Sequence, residues 1–202
     1  MRIEICGGIG AGKTTLCALL KERIIEGVFE NFKINPFWQT FYANPEKYNF
    51  ETEITFLLQH YHYIKVALES KNKFVCDFSF YQDLAYAVMG LKSNRFEIFK
   101  DVMKECIKEV NEPSLLIYLE CDEFTLLNRI KNRGRNEETN ITTDFLHFLN
   151  THIIDVVNKE RNELNILTIN SSLLNFATDE LGKEHAIEII VSEIEKIRGS
   201  LV

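Results

Sequence analysis

The sequence predicts an α/β domain: a parallel sheet of about five strands, helices on both faces, and a small helical lid. Three observations carry this. Short apolar runs alternate with longer helical patterns along the 202 residues. Runs such as Leu115-Leu116-Ile117-Tyr118-Leu119 are apolar on both faces, as a strand covered by helices on each side must be. A glycine-rich turn directly follows the first strand pattern and opens a helix. Elements of this size in alternation imply right-handed crossovers, with ligands gathering at the carboxyl ends of the strands.

The first strand is expected over 3–6, inside Arg2-Ile3-Glu4-Ile5-Cys6, and the first helix over 13–26. A weak strand pattern at 28–32 precedes a long helix over 49–70. The apolar run 74–76 then ends abruptly at Asp77. A strand-end aspartate can cap the next helix or take a proton from a substrate, and Ser79 can share the capping role. Helices follow over 80–92 and 95–110, then a strand over 115–119 and a helix over 122–132 that Gly134 stops. A helix over 142–161, a strand over 165–169 and a helix over 181–198 complete a single expected domain, 1–202, with its lid near 129–142.

Composition narrows the function. With 46% hydrophobic residues and three prolines, the chain can bury a sizeable core. A net charge of −7 argues against a general binder of nucleic acid or anionic membrane. No apolar run approaches the roughly 20 residues of a membrane span, and the N-terminus enters a strand pattern without a signal peptide. Five cysteines, odd in number and without a CxxC pair, fit reduced thiols in a cytoplasmic protein. His60 and His62 cannot share a helix face, and no Cys/His cluster suggests zinc.

The chemistry is carried by "GGIGAGKTT", Gly7 to Thr15, in which Gly7, Gly12, Lys13 and Thr14 satisfy G-x-x-x-x-G-K-[ST]. Such a P-loop turns backbone N–H groups inward as an anion cradle at a helix N-terminus. Lys13 reaches the β- and γ-phosphates and the Thr14 hydroxyl can ligate Mg²⁺, so a nucleoside triphosphate site is expected. Gly7, Gly8, Ile9, Gly10, Ala11, Gly12, Lys13, Thr14 and Thr15 would form it. A second signal is "RIKNRGRNEE", 129–138, where Arg129 and Arg133 share a helix face and Arg135 follows in the loop. Guanidinium groups so grouped can clamp a transferring phosphoryl group.

With these motifs the chain resembles the deoxynucleoside kinase family, particularly its bacterial purine kinases, over essentially its whole length. Residues 129–138 match the family's lid, and Phe41 to Tyr48 looks like the segment leading into its substrate helix. The strand-end acid-Arg-Ser motif falls on Asp77-Phe78-Ser79, with a further acid at Asp83. Asn170 to Phe176 is similar to the loop that holds the ATP adenine. The resemblance implies a P-loop kinase fold and transfer of a phosphoryl group from ATP to a nucleoside 5′-hydroxyl. It makes Asp77 the base, Lys13 a catalytic contact, and Arg129 and Arg133 partners of the phosphates or adenine. Tyr42 and Glu138 would hold the sugar 3′-hydroxyl, while Trp38, Glu53, His60 and Asp83 would line the base pocket. Phe176 would lie by the nucleotide, Mg²⁺ on Thr14 and near Asp77, and the enzyme would be a homodimer.

Two departures stand out. The family commonly has an acid just before the segment that begins here at Asn35-Pro36, where this chain has Lys33-Ile34. Glu30 is the nearest acid, but three residues along a strand points it to the opposite face. The arginine of the strand-end motif is Phe78. For the base, guanine is expected over adenine, because an ionised Glu53 offers two acceptors to guanine's two adjacent donors. Apolar residues Leu84, Tyr86, Val88, Phe96, Phe99 and Met103 on the helices over 80–92 and 95–110 suggest a dimer face. The alternatives are a nucleoside monophosphate kinase, for which Lys33 would be an extra cation, and a nucleotide-binding homologue weakened in catalysis.

Overall fold

The computed structural model describes residues 1–199. Residues 200–202, the end of the expected domain, lie outside the described residues. Five parallel strands run β1 (Arg2–Gly7), β2 (Glu26–Val28), β3 (Phe74–Cys76), β4 (Leu115–Glu120) and β5 (Ile166–Asn170). Their spatial order is β2-β3-β1-β4-β5. The helices are α1 (Lys13–Arg23), α2 (Trp38–Ala43), α3 (Pro45–Ser70), α4 (Phe80–Gly90), α5 (Asn94–Val110), α6 (Glu123–Arg133), α7 (Thr143–Glu160) and α8 (Glu180–Gly199).

The period-two geometry of the central strands sorts their side chains into two cores. Ile3, Ile5, Leu115, Ile117 and Leu119 face one, with residues of α1, α6 and α8. Cys6, Leu116 and Tyr118 face the other, with α3, α4, α5 and α7. Glu4, fully buried on that second face, is held by Arg2 at 3.0 Å. The Arg2 guanidinium also donates to the Val110 and Asn111 carbonyls at 2.7 and 2.5 Å, which satisfies the C-terminus of α5.

One strand sits earlier than the pattern at 28–32 implied. Glu26, Gly27 and Val28 pair with Phe74, Val75 and Cys76. The Asp77 N–H donates to the Val28 carbonyl, but the next donor, the Glu30 N–H, goes to the Asp77 carboxylate at 2.7 Å. A side chain thus replaces the ladder, and β2 ends. Beyond it come a 3₁₀ turn over Phe32–Ile34 and the short helix α2, neither of which the periodicity indicated. Helix α3 starts at Pro45, four residues before the expected 49, because Asn44 caps it by accepting from the Lys47 N–H and proline occupies the first turn.

Candidate active site

The phosphate loop joins β1 to α1 at the sheet's carboxyl edge. Gly12 stands before α1 at φ 101°, in the left-handed region, and a Cβ there would lie 3.1 Å from the Phe176 ring. A Cβ on Gly7 would come 2.9 Å from the Leu119 carbonyl oxygen of β4. The loop curls round Lys13, whose Nζ donates to the Gly7 and Gly8 carbonyls at 2.9 and 3.0 Å. Burial lowers the Lys13 pKa, and the carboxylates of Glu30 and Asp77 oppose that shift. Thr14 and Thr15 are exposed at the mouth of the cradle.

Asp77 follows β3 and is buried beside this loop. Burial raises its pKa, against the Glu30 N–H, the Thr14 hydroxyl and Lys13, which favour the ionised form. It does not cap α4: Ser79 does, accepting from the Tyr81 N–H at 3.1 Å. Glu30 belongs to the same site, contrary to the strand-face expectation. The strand has already ended, so alternation no longer decides where Glu30 points, and its carboxylate lines the cavity. Burial pushes Glu30 up, but His60, Lys13 and Arg135 outweigh this and hold it below the usual carboxylate range.

The cavity runs from the phosphate loop to a polar inner end. It is lined by Trp38, Tyr42, Glu53, His60, Asp83 and Glu138, the six residues expected to meet substrate, together with Lys13, Thr14, Asp77 and Arg133. His60 bridges two carboxylates, with Nδ1 at 2.7 Å from Asp83 Oδ2 and Nε2 at 3.1 Å from Glu30 Oε1. Burial would lower its pKa, yet Asp83 and Glu30 raise it to about 10, so the ring is an imidazolium at neutral pH. Phe78 stacks on that ring at 4.2 Å and 8°. At the lid, the 3₁₀ turn Asn136–Glu138 places Glu138 under Arg133 and Arg135, at 2.6 and 3.2 Å.

The two helix-face arginines part ways. Arg129 lies off the cavity lining and ties the phosphate loop to the loop after β5, donating to the Ser171 carbonyl at 2.6 Å and to the Gly10 carbonyl at 3.4 Å. Phe176, in that same loop, is buried against Gly12. Sequence reasoning missed Phe32, Phe41, Thr52, Phe56, Gln82 and Tyr86 as lining residues. Gln82 and Tyr86 were legible in principle, since four-residue spacing on α4 puts them on one face beside Asp83.

The sequence profile of deoxynucleoside kinases matches residues 3–197. The chain belongs to the deoxynucleoside kinase family. This kinase is 28% identical over 201 residues to the deoxyguanosine kinase of Bacillus subtilis, covering 94% of this chain and 97% of that one. It is 33% identical to the deoxyadenosine kinase of Lactobacillus acidophilus, covering 70% of each. Among solved structures, the deoxyadenosine kinase of M. mycoides with bound dCTP superposes with a TM-score of 0.78 at 21% identity, over 97% of this chain and all of that one. The kinase is therefore a phosphotransferase with the P-loop kinase fold. No helix among its described residues is long and apolar enough to cross a membrane.

Proposed function

We propose that the kinase transfers the γ-phosphoryl group of ATP to the 5′-hydroxyl of a purine deoxynucleoside, with deoxyguanosine favoured over deoxyadenosine. The observation that carries this is one continuous cavity: Lys13, Thr14 and Asp77 line one part, and Glu53, His60 and Asp83 another. The sugar lies between, with Tyr42 and Glu138 on its 3′-hydroxyl and Trp38 beside the base. As O5′ attacks the γ-phosphorus and ADP departs, Asp77 accepts the hydroxyl proton. Lys13 and Arg133 take up charge on the transferring group, and Arg129 and Phe176 lie on the donor side of the loop. Thr14 and Asp77 present adjoining oxygen donors, which suits a Mg²⁺ completed by phosphates and water. When bound, the ion neutralises phosphate charge.

Glu30 offers a second reading of the base, because it too lines the cavity and is ionised. The monophosphate kinase alternative loses its support: Lys33 is exposed and does not line this cavity. Turnover measured across deoxynucleosides, ribonucleosides and nucleoside monophosphates tests the proposal. The highest kcat/KM is expected for deoxyguanosine, and a preference for any monophosphate contradicts it.

We also propose a homodimer, although Phe99 and Met103 do not belong to its face. Phe99 and Met103 are buried in the second core, where α5 packs on α3 and α4. Exposed apolar residues remain at Val88 on α4, Ile98 on α5 and Leu58, Val66 and Leu68 on α3. Light scattering at micromolar concentration is expected to give twice 23.6 kDa. A mass equal to one chain removes the dimer.

A further inference from the structure

Glu53 is 5% exposed, lines the cavity, and makes no hydrogen bond or ion pair among the described residues. Each cation that lines the cavity is already engaged elsewhere. Both ring nitrogens of His60 hold carboxylates, Asp83 and Glu30. Arg133 and Arg135 share Glu138, and Lys13 holds two loop carbonyls. The groups facing Glu53 are His60 on α3, Asp83 and Tyr86 on α4, Glu30 after β2, and Tyr42 on α2. Only His60 among them carries a positive charge, and two carboxylates claim it.

We propose that Glu53 selects the purine by its own protonation state, taking adenine as a neutral acid and favouring guanine as a carboxylate. This rests on the purine deoxynucleoside reading above. The neutral acid has one donor and one acceptor: its O–H donates to adenine N1 and its carbonyl oxygen accepts from the 6-amino group. The carboxylate only accepts. Its two oxygens take guanine N1–H and a 2-amino hydrogen by charge-assisted bonds, whereas adenine N1 would face an oxygen lone pair against lone pair. Guanine is tolerated in both states, since the neutral acid can donate to O6 and accept from N1–H. Adenine fits one state only, which fixes the direction of the effect. Burial, then the charge of Asp83, raise the Glu53 pKa well above the usual carboxylate range; His60 opposes them and Glu30 adds to them. Guanine binding drives that proton to solvent; adenine binding leaves it in place.

The test uses the whole enzyme with ATP and each nucleoside. The ratio of kcat/KM for deoxyguanosine to that for deoxyadenosine is expected to rise with pH, approaching about tenfold per unit once Glu53 ionises. Taking the ratio cancels pH effects on ATP and on the transfer step. Calorimetry in two buffers of different ionisation heat should show proton release on binding deoxyguanosine where free Glu53 is protonated, and proton uptake on binding deoxyadenosine where it is ionised. In Glu53→Gln the ratio should be flat and shifted toward deoxyadenosine. A flat ratio in the unmodified enzyme, equal proton release for the two nucleosides, or a slope that survives in Glu53→Gln overturns the selector and leaves the kinase reading standing. If neither purine deoxynucleoside is bound or phosphorylated, the substrate reading falls and the selector falls with it.

Discussion

Asp77→Asn lowers kcat by about 10²–10⁴-fold and leaves the KM for deoxyguanosine close to that of the unmodified enzyme. Asparagine keeps an oxygen for the Glu30 N–H, so the turn after β2 survives the change. Ser79 already caps α4, so that helix start does not depend on Asp77. What is lost is a carboxylate able to hold a proton. Burial raises the Asp77 pKa, while His60 holds Glu30 low against its own burial. Glu30→Gln should therefore retain more turnover than Asp77→Asn, and its principal effect should be on His60, whose Nε2 loses a charged partner. Steady-state kinetics of the two variants side by side decide the assignment. Full turnover in Asp77→Asn with loss in Glu30→Gln would transfer the role to Glu30.

Lys13→Ala is the second large effect, and it falls on the donor. Removing the ammonium takes a charge from the triphosphate and two hydrogen bonds from the loop carbonyls of Gly7 and Gly8. It also takes from Asp77 the cation that favours its ionised form, while Glu30 keeps His60 and Arg135. Loss on the order of 10²–10³ in kcat/KM for ATP is expected, the size seen when one charge-stabilising group is removed from a transition state. Titration with a non-hydrolysable ATP analogue should show weakened binding, with deoxynucleoside affinity largely retained. Equal ATP affinity in the variant would contradict the role of Lys13.

Much of this site was legible because its signals are local. The phosphate loop is set by glycine spacing, and the inner strands by continuous apolar runs such as Leu115 to Leu119. The lid helix could be stopped at Gly134 because a left-handed residue there, at φ 68°, strongly favours glycine. Failures came where a long-range contact overrode a local rule. Glu30 was assigned a face by strand alternation, but a carboxylate 47 residues away in sequence ends the strand before that rule applies. Arg129 and Arg133 share a helix face, yet four residues, about 6 Å of rise, separate them along the axis. That is enough for one to meet the phosphate loop and Ser171 while the other reaches Glu138. Phe99 and Met103 read as surface because the helix pattern alone could not show that the second core extends across α5.

The most direct measurement of the central claim is product identity. Equimolar ATP and deoxyguanosine, incubated with the enzyme and Mg²⁺ and followed by ³¹P NMR, should yield ADP and deoxyguanosine 5′-monophosphate in equal amounts. The new phosphorus signal should couple to the two 5′-methylene protons. ADP formation without a nucleoside 5′-monophosphate, or phosphate transferred to the 3′-hydroxyl, would contradict the orientation of substrate in this cavity.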